Sequence, residues 1–287
     1  MNWLKVGITV SSEAAEALSA TLITLSPSGI EIKDEDGNAA LSAYLHESCP
    51  IEKVRLAIED ALTKAASLGL ETGPGLITVD SIADEDWVEN YKKHFHVIRV
   101  GRLLIKPSWE EAEAAAGDIV IGLDPGLAFG TGSHPTTEGC LIFLQEMISD
   151  KEVVFDLGTG SGILAIAAAK LGARRVVAID NDGQAIEVAK ENALANGVAS
   201  KIDFAVADFA TFHPVEASIL TANLTAPAII DFLPAITQKL PGLKVFIASG
   251  ITVDQKSGVI KALKERGFQV EKTRTRGEWV SVVSRLG

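Results

Sequence analysis

Cysteine is scarce in this chain of 287 residues and poorly placed for chemistry. Cys49 and Cys140 are the only two, 91 positions apart, and neither belongs to a CxxC or Cys/His cluster. That excludes a disulfide framework and a structural zinc site, so no metal is expected and a reducing compartment fits. Long apolar runs are also missing. No stretch of 18 consecutive apolar residues occurs, and the start, "MNWLKVGITV", has no basic segment leading into an apolar one, so neither a membrane span nor a secretory leader is expected. A soluble cytoplasmic protein, acting away from membranes, is the reading. No GK[ST] follows any glycine run, which removes the P-loop. Internal repeats and low-complexity segments are absent too.

What is present is acid, unevenly spread. The formal net charge is −12, and residues 1–120 carry 20 Asp/Glu against 10 Lys/Arg, whereas residues 121–287 carry 18 against 16. A surface of that sign repels a phosphate backbone and steers a basic protein towards it. Direct nucleic-acid binding is therefore not expected. Acidic faces also simply keep proteins soluble, so charge alone does not decide.

The periodicity changes once along the chain. Through residue 83 the pattern runs strand ("WLKVGITV"), helix ("SSEAAEALSATLITL"), strand ("GIEIKD"), strand ("LSAYLHES"), helix ("IEKVRLAIEDALTKAASLGL"), strand ("LITVDSI"). Ser11 or Ser12 is placed to cap the first helix, and Asp36-Gly37 supplies the turn between the two middle strands. This is a small α+β, ferredoxin-like order over residues 1–83, common in recognition modules and silent about chemistry. "DEDWVENYKKHF", within residues 84–95, reads as a linker helix. From residue 96 to 287, strand runs "EVVFDL", "RVVAID", "KIDFAV", "EASILTAN" and "LKVFIASG" alternate with helical runs. That predicts an α/β domain whose mostly parallel sheet is covered on both faces. "FQVEKTRT" and "WVSVVSRL", separated by "RGE", should close it as an antiparallel hairpin.

Chemistry concentrates at "VVFDLGTGSG", residues 153–162, a buried strand running into a glycine turn. The spacing is Gly158-x-Gly160-x-Gly162 preceded by Asp156, not the GxGxxG that places a pyrophosphate on a helix amino terminus. A carboxylate at the strand end suits a ligand carrying positive charge, and S-adenosylmethionine has ammonium and sulfonium groups. Asp156 would hold that ammonium directly or through water, while the glycines admit the methionine part. Asp180 ends the next strand, 22 residues after Gly158, where a carboxylate accepts both ribose hydroxyls, a feature shared with NAD enzymes. Asp208 after the third strand either accepts from an adenine amine or caps a helix. Asn223, after the fourth strand, sits where ligands bind in open α/β sheets, although a helix cap would place it there too.

"DPGLAFGTGSHPTTEGCL", residues 124–141, completes the set. Together with "DEDWVENYKKHF", "LLIKPSWE" and "DLGTGSGILAIAAAKLGA", it makes the chain resemble the PrmA family, the methyltransferases of large-subunit ribosomal protein eleven. The resemblance spans both domains. It implies a class I, Rossmann-like methyltransferase domain with a seven-stranded sheet, S-adenosylmethionine as cofactor, and a basic ribosomal protein as partner, held by the amino-terminal module. It also implies cofactor contacts from Thr137, Gly158, Asp180 and Asn223, with Thr131 shaping the same site. Two departures stand out. Thr159 replaces a frequent cysteine, an exchange expected to be neutral because only the backbone approaches the cofactor, and "NLTAPAI" replaces "NILAGPL", altering the acceptor side.

The expected activity is methyl transfer to lysine or α-amino groups, with Asn223 accepting hydrogen bonds from the incoming amine. No general base stands out, because His134, beside a proline, is more often structural. A base-amine methylase needs an aromatic after the Asn to stack on a flipped base, and Leu224, Thr225 and Ala226 stand there instead. A dehydrogenase, or a binding module without catalysis, is the remaining rival, and a monomer is expected.

Overall fold

The computed structural model describes residues 3–25, 30–35, 37–46, 49–67, 69–82, 96–123 and 134–287. The chain divides into two compact units, Met1–Phe95 and His96–Gly287. The linker helix expected over residues 84–95 lies outside the described residues, as do Asp36 and Thr131.

In the first unit, β1 (Trp3–Ser11), α1 (Ser12–Leu25), β2 (Ile30–Glu35), β3 (Asn38–His46), α2 (Ile51–Ser67) and β4 (Leu76–Ile82) follow the expected order. The sheet order is β2-β3-β1-β4 with every neighbouring pair antiparallel. Strand alternation decides the core: Val6, Ile8 and Val10 of β1 and Leu41 and Leu45 of β3 share one face. They cluster with Ala14, Leu18 and Leu22 of α1, spaced one helical turn apart, and with Val54 and Ile58 of α2. Ser11 caps α1, its Oγ accepting from Ala14 N at 3.3 Å.

The second unit opens with a small sheet absent from the sequence reading, β5 (Ile98–Val100), β6 (Leu103–Lys106) and β7 (Ile119–Gly122), in that order. Strands of three or four residues are too short to show a period. There follow α3 (Pro135–Met147), β8 (Val153–Leu157), α4 (Ile163–Leu171), β9 (Arg175–Asp180), α5 (Gly183–Ala195), β10 (Ile202–Val206), β11 (Ile219–Asn223), α6 (Ala226–Lys239), β12 (Val245–Thr252), α7 (Lys256–Glu265), β13 (Phe268–Arg276) and β14 (Trp279–Leu286). The seven-stranded sheet runs β10-β9-β8-β11-β12-β14-β13. Its first five strands are parallel, and the closing hairpin is antiparallel.

Each face of this sheet has its own core. Val154, Val176, Ile219 and Ile247 point towards α3 and α4, while Phe155, Val177, Leu220 and Phe246 point towards α6 and α7. α4 is buried continuously from Ile163 to Ala169, and its run of alanines lets it lie close against the strands and its neighbour α5. The chain crosses the sheet between β8 and β11, so helices leave their carboxyl ends in opposite directions. That switch point opens a crevice where such sheets bind ligands.

Candidate active site

β8 gives way to a turn whose three glycines all adopt left-handed backbone, Gly158 at φ +70°, Gly160 at +54° and Gly162 at +82°. A side chain at Gly158 would place its Cβ 2.7 Å from Leu224 Cδ2, and one at Gly162 would press to 3.0 Å from Ala189 Cβ. The first glycine keeps the strand tips close, and the last lets α4 pack on α5. The turn is pinned to β9: Gly158 N donates to Ile179 O at 2.9 Å, and Gly160 N to Asp180 Oδ2 at 2.9 Å.

Around this turn lies a cavity of about 600 Å³, within the usual range for small-molecule sites. Thr137, Gly158, Gly160, Asp180, Asp208 and Asn223 all line it, so the fold brings together six of the positions singled out in the sequence. Gly162 and Asp156 are not on its wall. Three carboxylates, Asp180, Asp208 and Asp231, face it, and among the described residues no lysine, arginine or histidine does.

The carboxylates differ in their company. Asp180 accepts from Gly160 N and, through Oδ1, from Asp182 N at 3.1 Å, which leaves lone pairs for further donors. Asp208 Oδ1 accepts from Ala210 N at 2.7 Å, so the residue caps the turn after β10 and lines the cavity as well. Asp231, on α6, was not anticipated. Nor were Phe209 and Phe232, whose rings meet edge to face at 5.4 Å on the same wall. Their spacing along the sequence carries no signal, because α6 and the loop after β10 meet only in the fold.

Asp156 differs from its expected placement. It is fully buried, Oδ2 accepting from Thr159 Oγ1 at 2.7 Å and Oδ1 from Thr221 Oγ1 at 2.6 Å. Burial pushes its carboxyl up from 3.8 to about 6, against the two threonine hydrogen bonds that favour the charged form. One residue short of the strand end, its side chain enters the layer beneath the rim, not the crevice. Thr159 also departs from expectation, since its hydroxyl, and not only its backbone, is engaged.

Asn223 ends β11 and donates from Nδ2 to Thr137 Oγ1 at 3.3 Å. The cap of α6 is Thr225, so Asn223 does not serve that role. Thr137 itself is buried in the first turn of α3. His134 caps that helix, accepting from Thr136 N, and stacks edge to face on Trp279 at 5.0 Å. Burial lowers the pKa of its ring. These contacts give it a structural role. Among the described residues, no group of three or more His, Cys, Asp or Glu is placed to hold a metal.

A mostly parallel seven-stranded sheet of this order, with a glycine turn after its central strand and a carboxylate at the tip of the next, defines the class I, Rossmann-like methyltransferases. Comparison with known proteins narrows the class. The family model described as ribosomal protein L11 methyltransferase (PrmA) matches residues 2–286. Proteins named ribosomal protein L11 methyltransferase from Alkaliphilus oremlandii (strain OhILAs) and Alkaliphilus metalliredigens (strain QYMF) are 34% and 33% identical to it, over 100% of this chain and 99% and 98% of theirs. The crystal structure of a ribosomal protein L11 methylase from Lactobacillus delbrueckii subsp. bulgaricus is 34% identical with a TM-score of 0.62, over 66% of this chain and 98% of that one. The chain belongs to the ribosomal protein L11 methyltransferase (PrmA) family.

Proposed function

We propose that this protein transfers methyl groups from S-adenosylmethionine to amino groups of ribosomal protein L11, lysine side chains, an α-amine or both. The observation that carries the reading is the charge of the cavity, in a chain of this family: among the described residues, three carboxylates and no cationic side chain stand around a glycine turn. Such a wall suits an adenosine bearing ammonium and sulfonium groups. Among the described residues it offers the pyrophosphate of a dinucleotide no compensating cation.

The residues present fit the cofactor. Asp180 would accept from the ribose hydroxyls, Asp208 would face the adenine amine through the oxygen not used in its turn, and Gly158 and Gly160 would let the methionine part approach the backbone. Thr137 would pack beside it, and Thr131 is assigned to the same site. Gly162 acts by seating α4, and Asp156 by holding the turn from beneath. When bound, S-adenosylmethionine supplies an electrophilic methyl group on a positive sulfur.

The remaining work falls to the chain. An attacking amine must be neutral, and at pH 7 a lysine of reference pKa about 10.4 costs roughly 4.6 kcal/mol to deprotonate, against about 1.4 for an α-amine near 8. A dry, cation-bearing pocket lowers that cost, because desolvation and like charge both disfavour an ammonium. Asn223 is the catalytic residue in this reading. With Nδ2 anchored on Thr137, Oδ1 remains to accept from the amine and hold it in line.

The acidic first unit would hold the basic substrate, and the protein would act as a monomer in the cytoplasm without contacting nucleic acid. The charge of residues 1–120 supports the docking of a basic substrate, and none of the described helices is long and apolar enough to cross a membrane. Incubation with S-adenosylmethionine and purified L11, followed by intact and peptide mass spectrometry, tests the whole reading. Methyl increments on L11 amines are expected, and an L11 left unmodified would refute it.

A further inference from the structure

A buried line of hydrogen bonds runs beneath the cavity, and nothing in the transfer step itself requires it. Asp156 on β8 takes the hydroxyl protons of Thr159 and Thr221, one on each oxygen, at 2.7 and 2.6 Å. All three side chains are buried. Thr159 belongs to the glycine turn and lines the cavity. Thr221 lies directly opposite Asp156 in the parallel ladder and two residues before Asn223. Asn223 then reaches across to Thr137 of α3.

The sheet does not need these side chains. β8 and β11 are already joined by their backbone ladder, and their other residues, Val153, Val154, Phe155, Leu157, Ile219, Leu220 and Ala222, show what a purely structural pair would carry. A carboxylate buried among them is costly unless its hydrogen bonds do something an apolar pair cannot. Here they join the two parts that must keep register during methyl transfer, the turn beneath the donor and the strand tip that presents the acceptor.

Resting on the reading of the cavity as the cofactor site, we propose that Thr159, Asp156 and Thr221 form a positioning brace that fixes the glycine turn relative to Asn223. Asp156 and Thr221 touch neither cofactor nor substrate. They act through Thr159 and Asn223, and a misplacement of about 1 Å between reacting groups is enough to cost on the order of 100-fold in rate. The brace requires an ionised Asp156, since a protonated carboxyl must itself donate and can no longer accept on both oxygens. Facing it are Thr159, Thr221, Cys140 from α3, Asp180 from β9 and the Ala165 amide of α4. Its carboxyl lies at about 6, so turnover should decline as pH falls through that value.

The test is Thr221→Val, nearly equal in shape, beside Thr221→Ser, which keeps the hydroxyl. Cofactor affinity is read by titration calorimetry, kcat on L11 from pH 5 to 9, and melting temperature alongside. For Thr221→Val the brace predicts S-adenosylmethionine affinity within about threefold, kcat lowered about tenfold or more, and an acid-side inflection moved upward, because a hydrogen bond favouring the charged form is gone. Thr221→Ser should restore both kcat and inflection. Unchanged kcat in Thr221→Val overturns the brace, and so does a loss that Thr221→Ser shares or one that leaves the inflection in place. Failure of the unaltered chain to bind S-adenosylmethionine would instead overturn the reading of the cavity, and the brace with it.

Discussion

Asp156→Asn should change the pH dependence of stability, in a direction that the burial of Asp156 fixes in advance. Desolvation raises its carboxyl from 3.8 to about 6 in the folded chain. The folded state therefore binds this proton more tightly than the unfolded state does. Its contribution to stability is complete below about 3.8 and is lost as pH rises through about 6. The full difference is roughly 3 kcal/mol, of which about 1.3 falls between pH 7 and pH 5. Asn has no such titration, and the hydroxyls of Thr159 and Thr221 can rotate to meet an amide, one donating to its oxygen and one accepting from its nitrogen. Cys140 and Asp180 are common to both proteins and cancel to first order. Urea unfolding of both proteins at each pH gives the free energies by linear extrapolation. The wild-type minus variant difference should grow by about 1.3 kcal/mol on going from pH 7 to pH 5. A difference that stays flat, or shrinks on acidification, refutes the claim that burial dominates this group.

The parallel strands were legible because each is an apolar run that stops where the sheet meets solvent: "RVVAID" is β9 from its first residue to its last. Asp180 and Asn223 were legible for the same reason, since a polar residue closing a buried strand is delivered to the rim. Strand order was not, because periodicity reports which faces are covered and not which strands are neighbours. Asp156 was harder still. One step inside the end of a strand buried on both faces, its direction is set by the pleat, and the sequence did show a clue in Thr221, a polar residue within the otherwise apolar "ILTA". A hydroxyl in such a strand asks for a buried partner, and the partner is Asp156. The adjoining wall of Phe209, Asp231 and Phe232 left no clue, since it is assembled from a loop and a helix that only tertiary packing brings together.

Three further substitutions separate site from scaffold. Asn223→Ala should lose most of its turnover on L11 while binding S-adenosylmethionine within a few-fold, as read by single-turnover kinetics and calorimetry, and full activity would remove Asn223 from the mechanism. Phe155→Ala, in the core facing α6 and α7 with rings Phe209 and Phe212 at 6.0 and 5.7 Å, should cost about 3 to 5 kcal/mol in denaturant unfolding. A loss under about 1 kcal/mol would mean that this core closes over the gap. Gly250→Ala should impair both stability and catalysis. Gly250 sits at φ +84°, and an added Cβ would lie 2.3 Å from Leu224 O and 2.8 Å from Leu224 C. The left-handed backbone alone costs about 1 to 2 kcal/mol. The overlap adds to it because a peptide group, unlike a side chain, cannot rotate away, and the only relief is to move Leu224, which adjoins Asn223. Unfolding free energy should therefore drop by more than about 2 kcal/mol, and kcat should fall even where the variant is fully folded. A folded Gly250→Ala with unaltered kcat would show that the tip of β11 tolerates displacement, and with it that the position of Asn223 does not limit the reaction.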